Sequence, residues 1–311
     1  MKITVIGHIC QDIFSNKKNE KQKTYWGGIY YCILTFANIC SNEDIVCPVF
    51  PIFENDYDEI ISVFQKYPNI NTDGIYKTQI PTNTVYINSS SKNRIECSTS
   101  IAESIPFKKI QPFLKSDGIL LNMISGFDIT LDTLDLIRIA TREQNNIKHI
   151  DFHSLGKGVG ENGIRFFQSF ENWRRWAFSM NSVQMNYDEM KNFLKKNEDE
   201  NYFAKQILSL DVNNFVITNG SKGAILYSLY EKNIIRNEIA ISEKIENVDT
   251  IGCGDVFSAA YLYAFLKNRN PIESVNYANL VASQNSIYIA SSQIENLKNI
   301  AFEKVNINKQ L

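Results

Sequence analysis

The segment ENVDTIGCGDVFSAAYLYAFL (246–266) sets two acids around a glycine pair, at the mouth of a stretch that is apolar on nearly every side. Gly252, Cys253 and Gly254 stand just before or in the first turn of the helix this stretch predicts. Glycines let the backbone turn tightly with its N–H groups outward, and the helix dipole adds partial positive charge there, so the segment is a natural anion hole. Asp255 falls in the same first turn. Taken alone, an acid at a helix start reads equally well as an N-terminal cap. Beside an anion hole it also suits phosphoryl transfer, in which amides hold the moving group and a carboxylate takes the proton of the attacking hydroxyl.

A doubly wound sheet would position these residues. Apolar runs at 3–7, 118–122, 148–152, 182–186 and 215–220 each end in Gly, Asn, Asp or Phe. Continuous runs of this length suit strands buried on both faces of a parallel sheet. Helix-like stretches at 131–144 and 187–196 lie between them, and the second runs from acids to lysines as the dipole prefers. The fold class is therefore α/β, a doubly wound, mostly parallel sheet with helices on both faces. TNTVYINSSSKNRIECSTS (82–100) instead alternates polar and apolar residues and predicts a half-exposed hairpin turning at SSSKN, with KTYWGG (23–28) as another such strand. These form a small β lid, from about 15–28 and 83–100, on a single domain of 1–311. Val85, Ile87, Ile95 and Cys97 alternate, which predicts one apolar lid face to be covered by substrate, by the strand near Tyr25 or by a second subunit.

Composition narrows the function. Of 311 residues 44% are hydrophobic, enough for a sizeable core, and a formal net charge of −2 gives no electrostatic drive toward nucleic acid or an anionic membrane. The six cysteines are scattered singly, without the paired spacing of a zinc site or redox dithiol, which suggests reduced thiols. The opening apolar run is too short for a signal-peptide core, and no stretch approaches a membrane span, so a cytoplasmic location is expected.

Ligands of open α/β sheets bind at the carboxyl ends of the strands. Five polar or glycine-bearing segments fall there: GHICQD, NMISGFD, DFHS, MNYDE and TNGSKG. With them, DTIGCGD resembles the DTxGxGD signature of the PfkB, or ribokinase-like, carbohydrate kinases. VIGHICQD is similar to that family's first strand and substrate-binding acid, WGGIYYCILTFANI to its N-terminal glycine signature, NYDE to NxxE and TNGSKG to TxGxxG, all in order over about residues 3–290. The resemblance implies a ribokinase-like fold and an ATP-dependent kinase acting on a sugar-like alcohol, with Asp255 as general base and Gly252, Cys253 and Gly254 as the anion hole. It implies Asn186 and Glu189 for magnesium and phosphates, with Glu189 the metal residue. Thr218, Gly220, Gly223, Asp249, Thr250 and Asn279 would serve the nucleotide, and Asp12, Gly27, Gly28, Cys32, Asn122 and Asp151 the substrate. It leaves room for a monovalent cation and for a homodimer through the lid. A nucleoside kinase of the same fold, and a non-catalytic sugar or nucleotide sensor on a kinase scaffold, stay open as alternatives.

Two departures matter. Cys10 and Cys32 stand where ribose-specific members carry Asn, and thiols are poor partners for sugar hydroxyls. Trp26, Tyr30 and Tyr31 can stack on a ring or pack the lid. GVGENG (158–163) fits GxGxxG literally but does not follow the first strand, and reads as a surface loop.

Overall fold

The computed structural model describes residues 1–14, 22–88, 95–242, 245 and 248–303; the expected SSSKN turn and lid residues 15–21 lie outside these. A nine-stranded sheet runs in the order β5 (Ile75–Thr78), β4 (Ile45–Phe53), β1 (Lys2–Ile6), β8 (Gly118–Asn122), β9 (Ile147–Asp151), β12 (Ser182–Asn186), β13 (Asn214–Thr218), β14 (Ala224–Tyr230), β15 (Asn233–Ile239). The first seven are parallel, and β14 and β15 add an antiparallel edge. Helices cover both faces, as the alternation predicts. Every residue of β8 and β9 is buried, which is why these strands read as continuous apolar runs. β4 has no counterpart in the sequence reading, because Pro48 and Pro51 weaken an otherwise apolar run as a strand signal.

Helix Cys253–Asn268 is buried from Asp255 through Ala264, so its apolar character on all sides is the mark of a central helix. It is fastened to the sheet by polar contacts: the His149 ring bridges Ser182 Oγ (2.7 Å) and Ser258 Oγ (3.0 Å). Burial pushes the His149 imidazole down to about 3, so it holds the helix as a neutral ring.

The lid is a four-stranded sheet ordered β3 (Lys23–Gly28), β2 (Ile9–Phe14), β6 (Asn83–Asn88), β7 (Ile95–Ser100). It differs from the expectation in two ways. β2 belongs to it, so Asp12 stands on a lid strand and not in a loop after β1. The predicted single apolar face is also split. Val85 pairs Ser98 and Ile87 pairs Glu96, whereas Ile95 and Cys97 pair Asn88 and Tyr86. Residues directly opposite in an antiparallel pair share a face, so Ile95 and Cys97 lie on the face opposite to Val85 and Ile87. The split is set by the regular pairing of 85–88 with 95–98; the register irregularity at Thr84/Val85 lies beyond these pairs. GVGENG is likewise not a free loop. It turns a ribbon of β10 (Lys157–Val159) and β11 (Arg165–Phe167) that leans on β7 through Ser98 N–H to Gly163 O at 2.8 Å.

Candidate active site

A cavity of about 500 Å³ opens along the carboxyl ends of the parallel strands and under the lid. Asp255 lines its middle, buried to 6% exposure in the first turn of the central helix. Its Oδ1 accepts from Asn122 Nδ2 at 2.8 Å, at the end of β8. Gln184 on β12 donates to both Asp151 Oδ2 (2.8 Å) and the Gly254 carbonyl (3.0 Å), tying the helix start to two strand ends. Gly252, at φ +73°, forms the left-handed turn into the helix, and a Cβ there would collide with the Tyr31 ring. At Gly254 a Cβ would meet nothing within 4 Å, so this backbone faces open cavity. The first-turn N–H groups have no intrahelical partner and point to that space. Cys253 N–H is taken by a turn to Thr250 O at 3.3 Å, which leaves Gly254 as the glycine presented to a ligand. The Cys253 thiol is pushed up to about 12 by burial and is no nucleophile.

One arm of the cavity reaches the lid. Asp12 lines it, buried, accepting from the Cys10 thiol at 3.3 Å; a side chain at Gly27 would collide with this carboxylate. Gly28, Tyr31, Val85 and Ile124 complete its wall, with Glu96, Lys157 and Arg165 reaching in from β7 and the ribbon. The other arm is a slot between Thr218, Gly220 and Gly223 on one side and Thr250, Asn279 and Ala282 on the other. Ile241, Ile245 and Val248 give it an apolar lining.

Asn186 and Glu189 form a reciprocal helix cap, each backbone N–H donating to the other's side chain at 2.8 Å. This is the capping-box geometry, so NxxE has a structural role whatever else it does. Burial pushes the Glu189 carboxyl to about 7 against the opposing charge of Lys157. Asp151 is pushed well above the usual carboxylate range, first by burial and then by the charges of Glu189 and Asp255. Among the described residues no cluster of three or more metal-ligating side chains occurs.

Of the residues read from the sequence, Asp12, Gly28, Asn186, Glu189, Thr218, Gly220, Gly223, Thr250, Asn279 and Gly252 to Asp255 line this one cavity. Gly27, Cys32, Asn122, Asp151 and Asp249 lie behind its wall. Cys32 Sγ lies 3.4 Å from the Asp255 carbonyl and 3.3 Å from Asn122 Nδ2, underneath the first turn of the central helix. Asp249 accepts from Ile251 N–H (3.0 Å) and Ala290 N–H (2.9 Å), shaping the loop before the helix. Gln184 was missed, although a glutamine in a buried apolar strand is a signal. Glu96, Lys157 and Arg165 offered none.

Residues 175–288 match the model of the pfkB family carbohydrate kinases. The chain carries a pfkB-family segment on a ribokinase fold. No curated protein matches it in sequence. Solved structures that share the fold include a ribokinase from Thermotoga maritima, 20% identical, TM-score 0.73, with 99% of each chain covered. A pyrophosphate-dependent kinase of the ribokinase family, complexed with a pyrophosphate analog and myo-inositol, is 16% identical with TM-score 0.75, covering 95% of this chain and 99% of its own. Arabidopsis thaliana ribokinase, complexed with ribose and ATP, is 16% identical with TM-score 0.69, covering 95% and 98%. The ribokinase fold thus spans nearly the whole chain, while the pfkB match covers the stretch from 175 to 288 that bears NxxE, TxGxxG and DTxGxGD. No helix among the described residues is long and apolar enough to cross a membrane.

Proposed function

We propose that this chain is an ATP-dependent kinase that transfers the γ-phosphoryl group to a hydroxyl of a sugar or sugar-like small molecule. One observation carries the reading: the buried Asp255 carboxylate sits beside the open space at Gly254, between a polar arm ending at Asp12 and an apolar slot. A hydroxyl entering from the Asp12 arm would meet Asp255, which takes its proton. The first-turn amides beside Gly254 would face the phosphoryl group. Asn122 keeps Asp255 aimed, and Gln184 fixes the backbone that presents the amides.

ATP is favoured over pyrophosphate by the slot. Ile241, Ile245, Val248 and Ala282 offer apolar surface to a base, and pyrophosphate has no apolar part to place there. Mg²⁺ is commonly held by one or two carboxylates with waters and phosphates. Glu189 fits that demand: Oε2 is held by its cap, and a nearby cation would stabilise the ionised form that burial disfavours. When bound, Mg²⁺ would share the phosphate charge. A sugar is favoured over a nucleoside because two of the three aromatic residues are committed elsewhere. Tyr30 stacks on Phe64, and Trp26 donates to Glu59 at 2.7 Å. We place the activity in the cytoplasm, where ATP is supplied, and propose a homodimer through the outer lid face that bears Ile95.

The test is Asp255→Asn, assayed for acceptor-dependent ADP release. Loss of the proton acceptor lowers turnover by about 10²–10⁴-fold with ATP binding spared. Near-normal turnover would leave Asp255 a purely structural role at the helix start, where it accepts from Asn122.

A further inference from the structure

We infer that Arg165, brought to the cavity by the 157–167 ribbon, seats an oxyanion, a carboxylate or a phosphate, carried by the phosphoryl acceptor. The inference deepens the kinase reading and rests on it for the acceptor's role.

Arg165 lines the lid arm of the cavity together with Cys10, Asp12 and Glu96. Its guanidinium is partly buried and is held at two points. Nε donates to Ser98 Oγ at 2.8 Å and Nη1 to the Ser125 carbonyl at 2.6 Å. Both acceptors are uncharged. A guanidinium has five N–H donors in a planar fork, so most of its capacity is left over. Among the described residues no carboxylate lies within ion-pair distance of it, and the acids near it are committed. Glu96 Oε2 takes Lys157 Nζ at 3.3 Å. Asp128 accepts from His8 N–H (2.6 Å), Ser125 N–H (3.0 Å) and Gly126 N–H (3.0 Å). Burial accordingly pulls the Arg165 pKa down, against the more distant charges of Glu96 and Asp128. Withdrawing a cation from water without pairing it is costly, and a ligand that brings the anion removes that cost. The planar fork matches a carboxylate or phosphate better than a single hydroxyl.

The chain invests in this placement. Gly163, at φ +78°, turns the ribbon where a Cβ would sit 2.6 Å from the Ser98 carbonyl, and Ile164 bridges to Cys97. Arg165 follows directly, so the backbone that docks the ribbon on β7 also aims the guanidinium. Recognition has reason to come from this side. The Cys10 thiol is spent on Asp12, and Cys32 lies beneath the wall.

The experiment uses the full chain with ATP and Mg²⁺ and matched acceptor sets: glucose, gluconate and glucose 6-phosphate; ribose, ribonate and ribose 5-phosphate. Turnover and, separately, calorimetric binding without ATP are measured for wild type, R165Q, R165K and S98A. The expected result is an anionic member preferred at least about tenfold over its neutral parent in one set or more, and the winning member tells carboxylate from phosphate. R165Q raises KM for that acceptor about 10- to 100-fold, the range of a charge-assisted hydrogen bond, with kcat and the KM for ATP nearly unchanged. R165K falls between, because charge survives and the fork does not. S98A, which keeps the charge and loosens one anchor, retains most of the preference. No anionic preference in any set, or an S98A defect equal to that of R165Q, overturns the inference. Arg165-dependent anion binding without transfer to any acceptor supports the seat and refutes the kinase. Transfer to neutral acceptors that ignores R165Q does the reverse.

Discussion

Replacing each of the two glycines at the start of the central helix by alanine separates architecture from chemistry. At Gly252 the φ of +73° is left-handed, which costs a non-glycine residue about 1–2 kcal/mol. The new methyl also enters the Tyr31 ring, an overpacking cost of roughly 1–3 kcal/mol. The sum is about 2–5 kcal/mol. An unfolding entropy of about 2.1 cal/mol/K per residue gives, for this length, about 1.5 °C per kcal/mol, so Tm falls by about 3–8 °C. At Gly254 neither cost applies. The backbone is not left-handed, nothing lies within 4 Å of the added Cβ, and alanine is the better helix former by about 0.8–1 kcal/mol. Gly254→Ala therefore leaves Tm unchanged or raised by about a degree. Its methyl, however, occupies the space through which a phosphoryl group reaches the first-turn amides, and the loss expected is comparable to removal of an oxyanion donor, about 10²–10³-fold in kcat. The assay pairs a thermal melt with acceptor-dependent ADP release on both variants. A fully active Gly254→Ala would refute the anion hole. A destabilised Gly254→Ala would refute the reading of the cavity as open there.

EDTA abolishes turnover, and because the Glu189 carboxyl is pushed to about 7, the Mg²⁺ requirement of the wild type falls as pH rises past 7; Glu189→Gln removes that dependence, and an unchanged magnesium titration in the variant would take Glu189 out of the metal network. His149, lowered to about 3 from an ordinary 6.5, contributes stability that is present above pH 6.5 and lost as pH falls toward 3, since the unfolded chain binds the proton first. His149→Asn therefore flattens the acid side of the stability profile measured by denaturant unfolding, and a profile that keeps its acid slope counts against the neutral ring. Ile95, 46% exposed on the outer lid face, is the side chain to charge in a test of the dimer: Ile95→Lys shifts the mass by light scattering, whereas a wild-type monomer at micromolar concentration with substrate present excludes the dimer.

The local arrangement at 249–255 could be read from sequence because its parts are consecutive. A glycine turn, a first helical turn and an acid in it occupy fixed relative places in any helix that begins there. The parallel strands were legible for a similar reason, since burial on both faces leaves an unbroken apolar run. Tertiary structure decided what depends on partners distant in sequence. The direction in which Cys32 points follows from the phase at which helix Ile29–Ile39 packs beneath Asp255. The faces of Ile95 and Cys97 follow from a register set between strands, which puts them opposite Asn88 and Tyr86, where a shift by one residue would exchange inside for outside. Gln184 meets Gly254 across 70 positions and Arg165 meets Ser98 across 67. No local pattern encodes such meetings, because polar side chains at those separations are brought together only by the burial of the apolar segments between and around them.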